Sequence, residues 1–205
     1  MPDIQEQSYE LAYKLAREQL GSMDIERLCH KSGAQYVDRD RIIIEYLNRP
    51  YLITLPDIEI LLKDSEEEVP LKDRILILHY LTLAKGTPAT NRLITFKQLP
   101  GGASYFPAFS QRATKPLLSH FGKEPELLTD AAAKLGGCKA NYGDVAITIN
   151  AFPRVPITFA LWRGDDEFPP RGSIMFDASI SAYLSTEDIT VLCETIIWRL
   201  VKSLS

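Results

Sequence analysis

Cysteine is scarce in this chain, and what there is does not pair. Cys29, Cys138 and Cys193 are odd in number, far apart and without a C-x-x-C spacing. That argues against both a disulfide framework and a zinc knuckle. Long apolar runs are also missing. The longest lies near "ILILHYLTLA", well short of the roughly 20 residues a spanning helix needs. The opening stretch "MPDIQEQSYELAYKLAREQL" is charged throughout and has no apolar signal core. There is no basic excess either. Lysine and arginine number 23 against 27 acidic residues, a net charge of −4, which argues against a nucleic-acid or membrane-surface role. P-loop, dinucleotide, G-x-S-x-G, H-E-x-x-H and EF-hand patterns are all absent. The expectation is a cytoplasmic protein with no membrane or nucleic-acid partner and no metal site, its cofactor unidentified by sequence.

What is present suits a packed core. Hydrophobic residues make up 45% of the 205 positions and charged residues 24%, enough to bury a core without staples. No repeat or linker divides the chain, so one domain is expected over 1–205, with a helical segment at 1–33 and the main body at 34–205. In the first helix Ile4, Leu11, Ala12, Leu15 and Ala16 form the expected inward stripe. Ser22 is the expected cap of a second helix with Ile25, Leu28 and Cys29 inward, stopped by Gly33. "AQYV", "RIIIEYL" and "PYLITL" read as strands. "LKDRILILHYLTLAK" is apolar on nearly every side, which predicts a buried central helix. "LITF" is a further short strand, and Pro107, Pro116 and Pro125 are expected to open short helices.

The C-terminal third carries the clearest signals. "DVAITINAF", "ITFALWRG" and "GSIMFD" predict an antiparallel meander. Ser185 is the expected N-cap of the last helix, Asp188 completes an acidic capping box, and Leu184 with Ile189 forms the staple. Ile189, Leu192, Cys193, Ile196, Leu200 and Leu204 make its inward stripe. Runs of helices and runs of strands together give an α+β fold: an antiparallel sheet packed by several helices.

Two segments are candidates for chemistry. In "LPGGASYFPAFSQRATKPL" the backbone of Gly101 and Gly102 can approach an anion ahead of a helix start. Arg112 and Lys115 add positive charge, and Tyr105, Phe106 and Phe109 add ring faces. The alternative is a glycine turn whose aromatics enter the core. The second segment is "WRGDDEFPPRGSIMFD". Asp165, Asp166 and Glu167, supported by Asp177, supply oxygens for a hard cation or for acid–base work. Adjacent residues of an extended chain point to opposite sides, however, and a solvated hairpin tip stiffened by Pro169 and Pro170 competes. So does an ion-pair network from Asp166 or Glu167 to Arg154, Arg163 or Arg171. His79 reads as a hydrogen-bonded core histidine, His30 and His120 sit in last turns of helices, and Cys138 follows two glycines.

Taken in order, "ITFKQLPGG", "YGDVAITI", "FPRVPITFALW", "DDEFPP" and "FDASISAYLSTEDI" resemble an uncharacterised domain family of prokaryotes, many of them anaerobes. The resemblance runs from about residue 70 to 200. Some members of that family carry an upstream four-cysteine iron–sulfur domain like that of corrinoid iron–sulfur proteins, and this chain has no such cysteine cluster. The resemblance implies anaerobic redox or corrinoid-linked metabolism and an iron–sulfur redox partner protein. Together with the glycine segment it implies a module that binds an anionic small molecule or cofactor. An enzyme using the acidic loop, or an interaction subunit for the redox partner, are the alternatives.

Overall fold

The computed structural model describes residues 4–204, with side chains from residue 7 onward. α1 (Ile4–Gly21) and α2 (Ile25–Ser32) precede four strands, β1 (Gln35–Asp38), β2 (Arg41–Tyr46), β3 (Arg49–Thr54) and β4 (Glu59–Leu62). These pair antiparallel in chain order. α3 (Leu71–Leu83) and β5 (Leu93–Thr95) follow, then α4 (Gly102–Phe109), α5 (Lys115–Phe121) and α6 (Glu126–Ala133). β6 (Cys138–Lys139), β7 (Val145–Phe152), β8 (Val155–Trp162) and β9 (Arg171–Asp177) lead to α7 (Thr186–Lys202). The second sheet has the order β5-β9-β8-β7-β6, with β7, β8 and β9 as the meander. The fold is α+β.

Residue alternation explains the first sheet. Ile42, Ile44 and Tyr46 of β2 are buried, while Arg41 and Glu45 are exposed, the period of two that a half-buried strand requires. The β2–β3 hairpin turns on Leu47 and Asn48, both at positive φ (49° and 62°). That backbone matches strand twist and is the usual one for a two-residue hairpin. Leu47 is an unusual occupant because it is fully buried, and its N–H donates to the Ala151 carbonyl on β7 at 3.0 Å. The tip of one sheet is therefore plugged against the other. α3 runs through the interior with Ile75 to Leu78, Tyr80 and Leu81 buried, and both α1 and α7 pack on it. One buried cluster extends from Ala16 to Leu200 and draws on both sheets.

The helix ends follow local chemistry. Gly33 stops α2 at φ 76°. Ser185 and Asp188 form the reciprocal capping box of α7, and Leu184 and Ile189 are both buried beside it.

Several expectations are corrected. α1 is rotated from the expected stripe: Ala16 and Leu20 are buried, while Leu11 is 58% and Leu15 55% exposed. α1 packs on α3 with Ala16 and Leu20 buried and Tyr13 partly buried against the core. The side chain of Ile4 lies outside the described residues. Asp24, not Ser22, caps α2 by accepting from the Arg27 N–H at 3.1 Å. Pro107 lies inside α4, which starts five residues earlier at Gly102. α4 and α5 are joined through a π turn at Ser110–Thr114. Leu204 is 41% exposed because α7 ends at Lys202.

The start of α4 generates a test. Gly101 has φ 69° and open space around it, whereas a Cβ on Gly102 would lie 2.0 Å from the Phe96 carbonyl oxygen. Gly101→Ala is expected to cost about 1 kcal/mol through its left-handed backbone. Gly102→Ala is expected to cost about 3 kcal/mol, because two backbone segments must part. Urea unfolding of both variants checks the order.

Candidate functional site

A cleft of about 680 Å³ opens where the β2–β3 hairpin, the start of α3 and the end of α7 meet. α7 presents Glu194, Trp198 and Lys202 at four-residue intervals, which places them on one stripe of the helix. β3 contributes Arg49 and Tyr51, the first turn of α3 contributes Lys72 and Asp73, and Lys134 and Leu135 follow α6. The acidic connection at Glu67 and Glu68 closes the side.

The floor is a buried polar network. Asp73 is 4% exposed. It accepts from the Tyr46 hydroxyl at 2.8 Å through one oxygen and from Arg199 Nη2 at 2.6 Å through the other. The Arg199 guanidinium also lies over the Tyr46 ring, 5.4 Å from its centroid. Burial acts to lower the Arg199 pKa, but Tyr46, Asp73 and Tyr51 outweigh it and hold the group charged. Burial, then the Asp73 charge, push the Tyr46 phenol well up, so it stays a donor. A buried carboxylate is tolerated only with partners of this kind.

Charges at the rim differ in their commitments. Arg49 pairs with Glu67 at 2.7 Å, Arg74 with Glu68 at 3.3 Å and Arg112 with Glu194 at 2.7 Å. Lys134 donates to the Ser203 carbonyl at 3.1 Å, and Lys72 lies 5.5 Å from the Tyr9 ring centroid. Lys202 has no side-chain hydrogen bond or ion pair among the described residues. Trp198 is 45% exposed, with His120 edge-on to its ring at 5.6 Å. Among the described residues, no histidine or cysteine lines the cleft. Its chemistry is that of a ring-stacking wall with amines beside it.

The glycine segment is organised differently from the sequence expectation. Gly102 is buried, and its N–H donates to the Leu99 carbonyl at 2.8 Å. Arg112 is committed to Glu194, and Lys115 donates to Gln111 at 2.8 Å. Tyr105 packs against the core, and Phe109 stacks on Phe96 at 3.8 Å. None of Gly101, Gly102, Tyr105, Arg112 and Lys115 lines the cleft beside α7. A smaller cavity of about 190 Å³ does lie between this segment and the meander. Its lining includes Phe96, Lys97, Phe106, Phe109, Gly172 and Ile174 and none of those five.

The acidic loop is a hairpin tip. Asp165 accepts from the backbone N–H groups of Glu167 at 2.9 Å and Phe168 at 2.7 Å. These bonds hold its pKa below the ordinary carboxylate value. Asp165, Asp166 and Glu167 are all exposed. Asp177 stands at the far end of β9, about 20 Å from the start of that strand by its rise. There it accepts from Thr90 N–H, Thr90 Oγ1 and Ser179 N–H. Burial acts to raise its pKa, but these bonds win and bring it to about 2. Asp177 is a stitch between chain segments and does not support the loop carboxylates. The arginines go elsewhere: Arg163 pairs with Glu126, and Arg154 donates to the His30 carbonyl. Neither the Asp166 nor the Glu167 side chain has a hydrogen bond or ion pair among the described residues, so the expected pairing with Arg154, Arg163 or Arg171 is not formed here. Among the described residues, no group of three His, Cys, Asp or Glu side chains is placed to hold a metal ion.

His79 is hydrogen-bonded as expected, but it sits at the edge of the core with its side chain 29% exposed. Its Nδ1 lies 2.6 Å from Asp188 Oδ1, and the other Asp188 oxygen belongs to the capping box with Ser185. The bond to Asp188 raises the His79 pKa against the opposing effect of burial. His120 and Cys138 are exposed, while burial pushes the thiols of Cys29 and Cys193 up, Cys29 to about 11.

The model of a family described as a domain of unknown function (DUF3786) matches residues 24–199, and the chain belongs to that family. No curated protein and no solved structure matches the chain.

Two predictions follow from the contrast between carboxylates. Asp73→Ala strands Arg199 and the Tyr46 hydroxyl and is expected to cost about 3 kcal/mol. Asp166→Ala, at the wet tip, is expected to stay within about ±0.5 kcal/mol. Denaturant midpoints at constant slope measure both. The His79–Asp188 pair sets a pH dependence. Because His79 is raised on folding, its contribution is fully present below its ordinary value of 6.5 and is lost as pH rises through the folded value. In Asp188 burial raises the pKa, but the His79 and Ser185 bonds lower it further. Its contribution is therefore present above 3.8 and lost as pH falls. His79→Gln should cost most between pH 3.8 and 6.5 and progressively less in alkaline buffer. A stability–pH profile parallel to wild type would contradict this.

Proposed function

We propose that this member of a family of unknown function is a small-molecule-binding module whose ligand occupies the cleft between the β2–β3 hairpin, α3 and α7. The ligand class is a flat ring system bearing a carboxylate or phosphate. The observation that carries the reading is Trp198, 45% exposed beside the amines of Lys134 and Lys202, above a floor whose charges already balance. Exposing a tryptophan is costly in apolar area, and a stacked ring would recover that cost. A volume of about 680 Å³ is in the range of cofactor-sized pockets. The satisfied Tyr46–Asp73–Arg199 floor supports the reading as well, because a fixed floor reduces the ordering cost of binding. On this proposal the ligand occupies the cleft and not the 100–115 segment. Anaerobic redox or corrinoid-linked chemistry, with an iron–sulfur protein as partner, is the setting that the sequence resemblance suggests. Flavins and carboxylated tetrapyrroles therefore head the panel of probes.

Native mass spectrometry of the gently purified chain, then titration with flavin mononucleotide and a carboxylated porphyrin, tests the proposal. Tryptophan emission in a Trp162→Phe background reads Trp198 directly. Quenching on binding is expected, with binding lost in Trp198→Ala and weakened about tenfold or more in Lys202→Glu. Lys97→Ala and Lys115→Ala are expected to bind as wild type. Absence of binding across the panel, or binding indifferent to Trp198→Ala and Lys202→Glu, overturns it.

A further inference from the structure

The outer face of the first sheet bears an apolar row across three strands. The register places Ile43 opposite Leu52 and Leu52 opposite Leu61. All three point away from the buried side, where Ile42, Ile44, Ile53, Ile60 and Leu62 lie. Leu61 is 49% exposed, and the neighbouring Val37 on β1 is 40% exposed. A shallow depression of about 630 Å³ lies over this row. Contiguous apolar surface of this kind marks an interaction site more often than scattered single residues do.

The charges around the row specify what fits there. On one side Arg41 and Glu59 flank Thr54 in the same register. On the other, Glu45 lies opposite Pro50, and the Lys63 N–H extends the β4 ladder to the Pro50 carbonyl at 2.9 Å. The four corners therefore alternate in sign: Arg41 and Glu45 on β2, Glu59 and Lys63 along β4. Arg41 also holds Asp38 at 2.6 Å within the chain. Glu45, Glu59 and Lys63 have no side-chain hydrogen bond or ion pair among the described residues. Asp64 and Glu66 lie past the last row.

We infer that this face is a two-fold docking surface for a second copy of the chain. Rotation about an axis parallel to the strands lays β2 of one copy over β4 of the other. Glu45 then meets Lys63 of the second copy, Arg41 meets Glu59, and Leu52 meets itself. The protruding Leu61 enters the depression above the more recessed Ile43. An isologous contact requires this self-complementarity, and aligned sheet packing accommodates it. A two-fold axis across the strands would also oppose unlike charges, but it would set Leu61 against Leu61, protrusion on protrusion. The face is only three strands wide, so the interface falls at the small end of stable contacts and the dimer depends on concentration.

Sedimentation equilibrium of the full chain over a broad concentration series tests the inference. A reversible monomer–dimer equilibrium is expected for wild type. Leu61→Asp and Glu45→Lys should each weaken it about tenfold or more, with circular dichroism and unfolding midpoint unchanged at these exposed positions. Glu45→Lys combined with Lys63→Glu restores opposite charges across this axis, and dimerisation should return. A wild type monomeric throughout, a dimer untouched by the single changes, or a double reversal that fails to rescue each overturns the inference. None of these outcomes bears on the ligand cleft, which faces the other side of the sheet.

Discussion

A buried carboxylate with two obligatory partners sets the frame of this molecule. Asp73 stands in the first turn of α3, and its two oxygens are satisfied from opposite directions, by Tyr46 at the end of β2 and by Arg199 near the end of α7. A charge in that position costs far more unpaired than paired. The hairpin, the central helix and the last helix are thereby held to one another within hydrogen-bonding distance. Tyr46 then hands the arrangement on through its ring. It stacks on Phe152 of β7 at 4.8 Å, Phe152 stacks on Tyr80 of α3 at 4.1 Å, and Tyr80 stacks on Tyr183 at 5.9 Å. A directional polar contact at one end is continued by aromatic packing that crosses both sheets.

The same contact explains why a cleft persists beside it. Once Asp73 has fixed the hairpin and α7, the polar stripe of α7 faces the loop at Glu67 and Glu68 across a gap, because charged and long side chains line both sides. Tyr51 and Leu62 continue the floor from the inner face of the sheet, so its depth is set by β-strand alternation.

How much of this was legible in the sequence varies with the range of the interaction. Contacts made within a few residues were readable. The period-two runs gave the meander, and Ser185 with Asp188 gave the start of α7. The rotation of α1 is not legible, because its packing face runs through Ala16 and Leu20 with Tyr13 beside them, while Leu11 and Leu15, equally apolar in the sequence, face solvent. Pro107 does not open a helix, because α4 already begins at Gly102. The cleft is not legible in the sequence for a different reason. Arg49, Asp73, Lys134 and Trp198 are each ordinary where they stand, and only the tertiary fold brings them together. One trace was available: Trp198 lies between Glu194 and Lys202 on the polar side of an otherwise well-patterned helix. The acidic loop misled in the opposite sense. Three adjacent carboxylates look like a cluster in sequence, but all three lie exposed on a turned tip, and Asp165 Oδ1 accepts from the backbone of its own turn.

Ion-pair chemistry ties the two proposed surfaces together. Arg41, Arg49, Arg74, Arg112, Arg163 and Arg199 each hold a carboxylate within the chain. Among the described lysines, Lys14 alone forms such a pair, at 4.0 Å with Glu18. The guanidinium fork matches a carboxylate at two points and gives up little entropy per bond, whereas the ammonium is a strongly hydrated point charge on a flexible stem. Arginine is therefore suited to internal bracing, and lysine remains free for an external partner. Lys202 over the cleft and Lys63 on the outer face of the sheet are two such uncommitted charges. Each lies beside exposed apolar surface, Trp198 in one case and Leu61 in the other, and it is that combination which suits them to recognition more than to bracing.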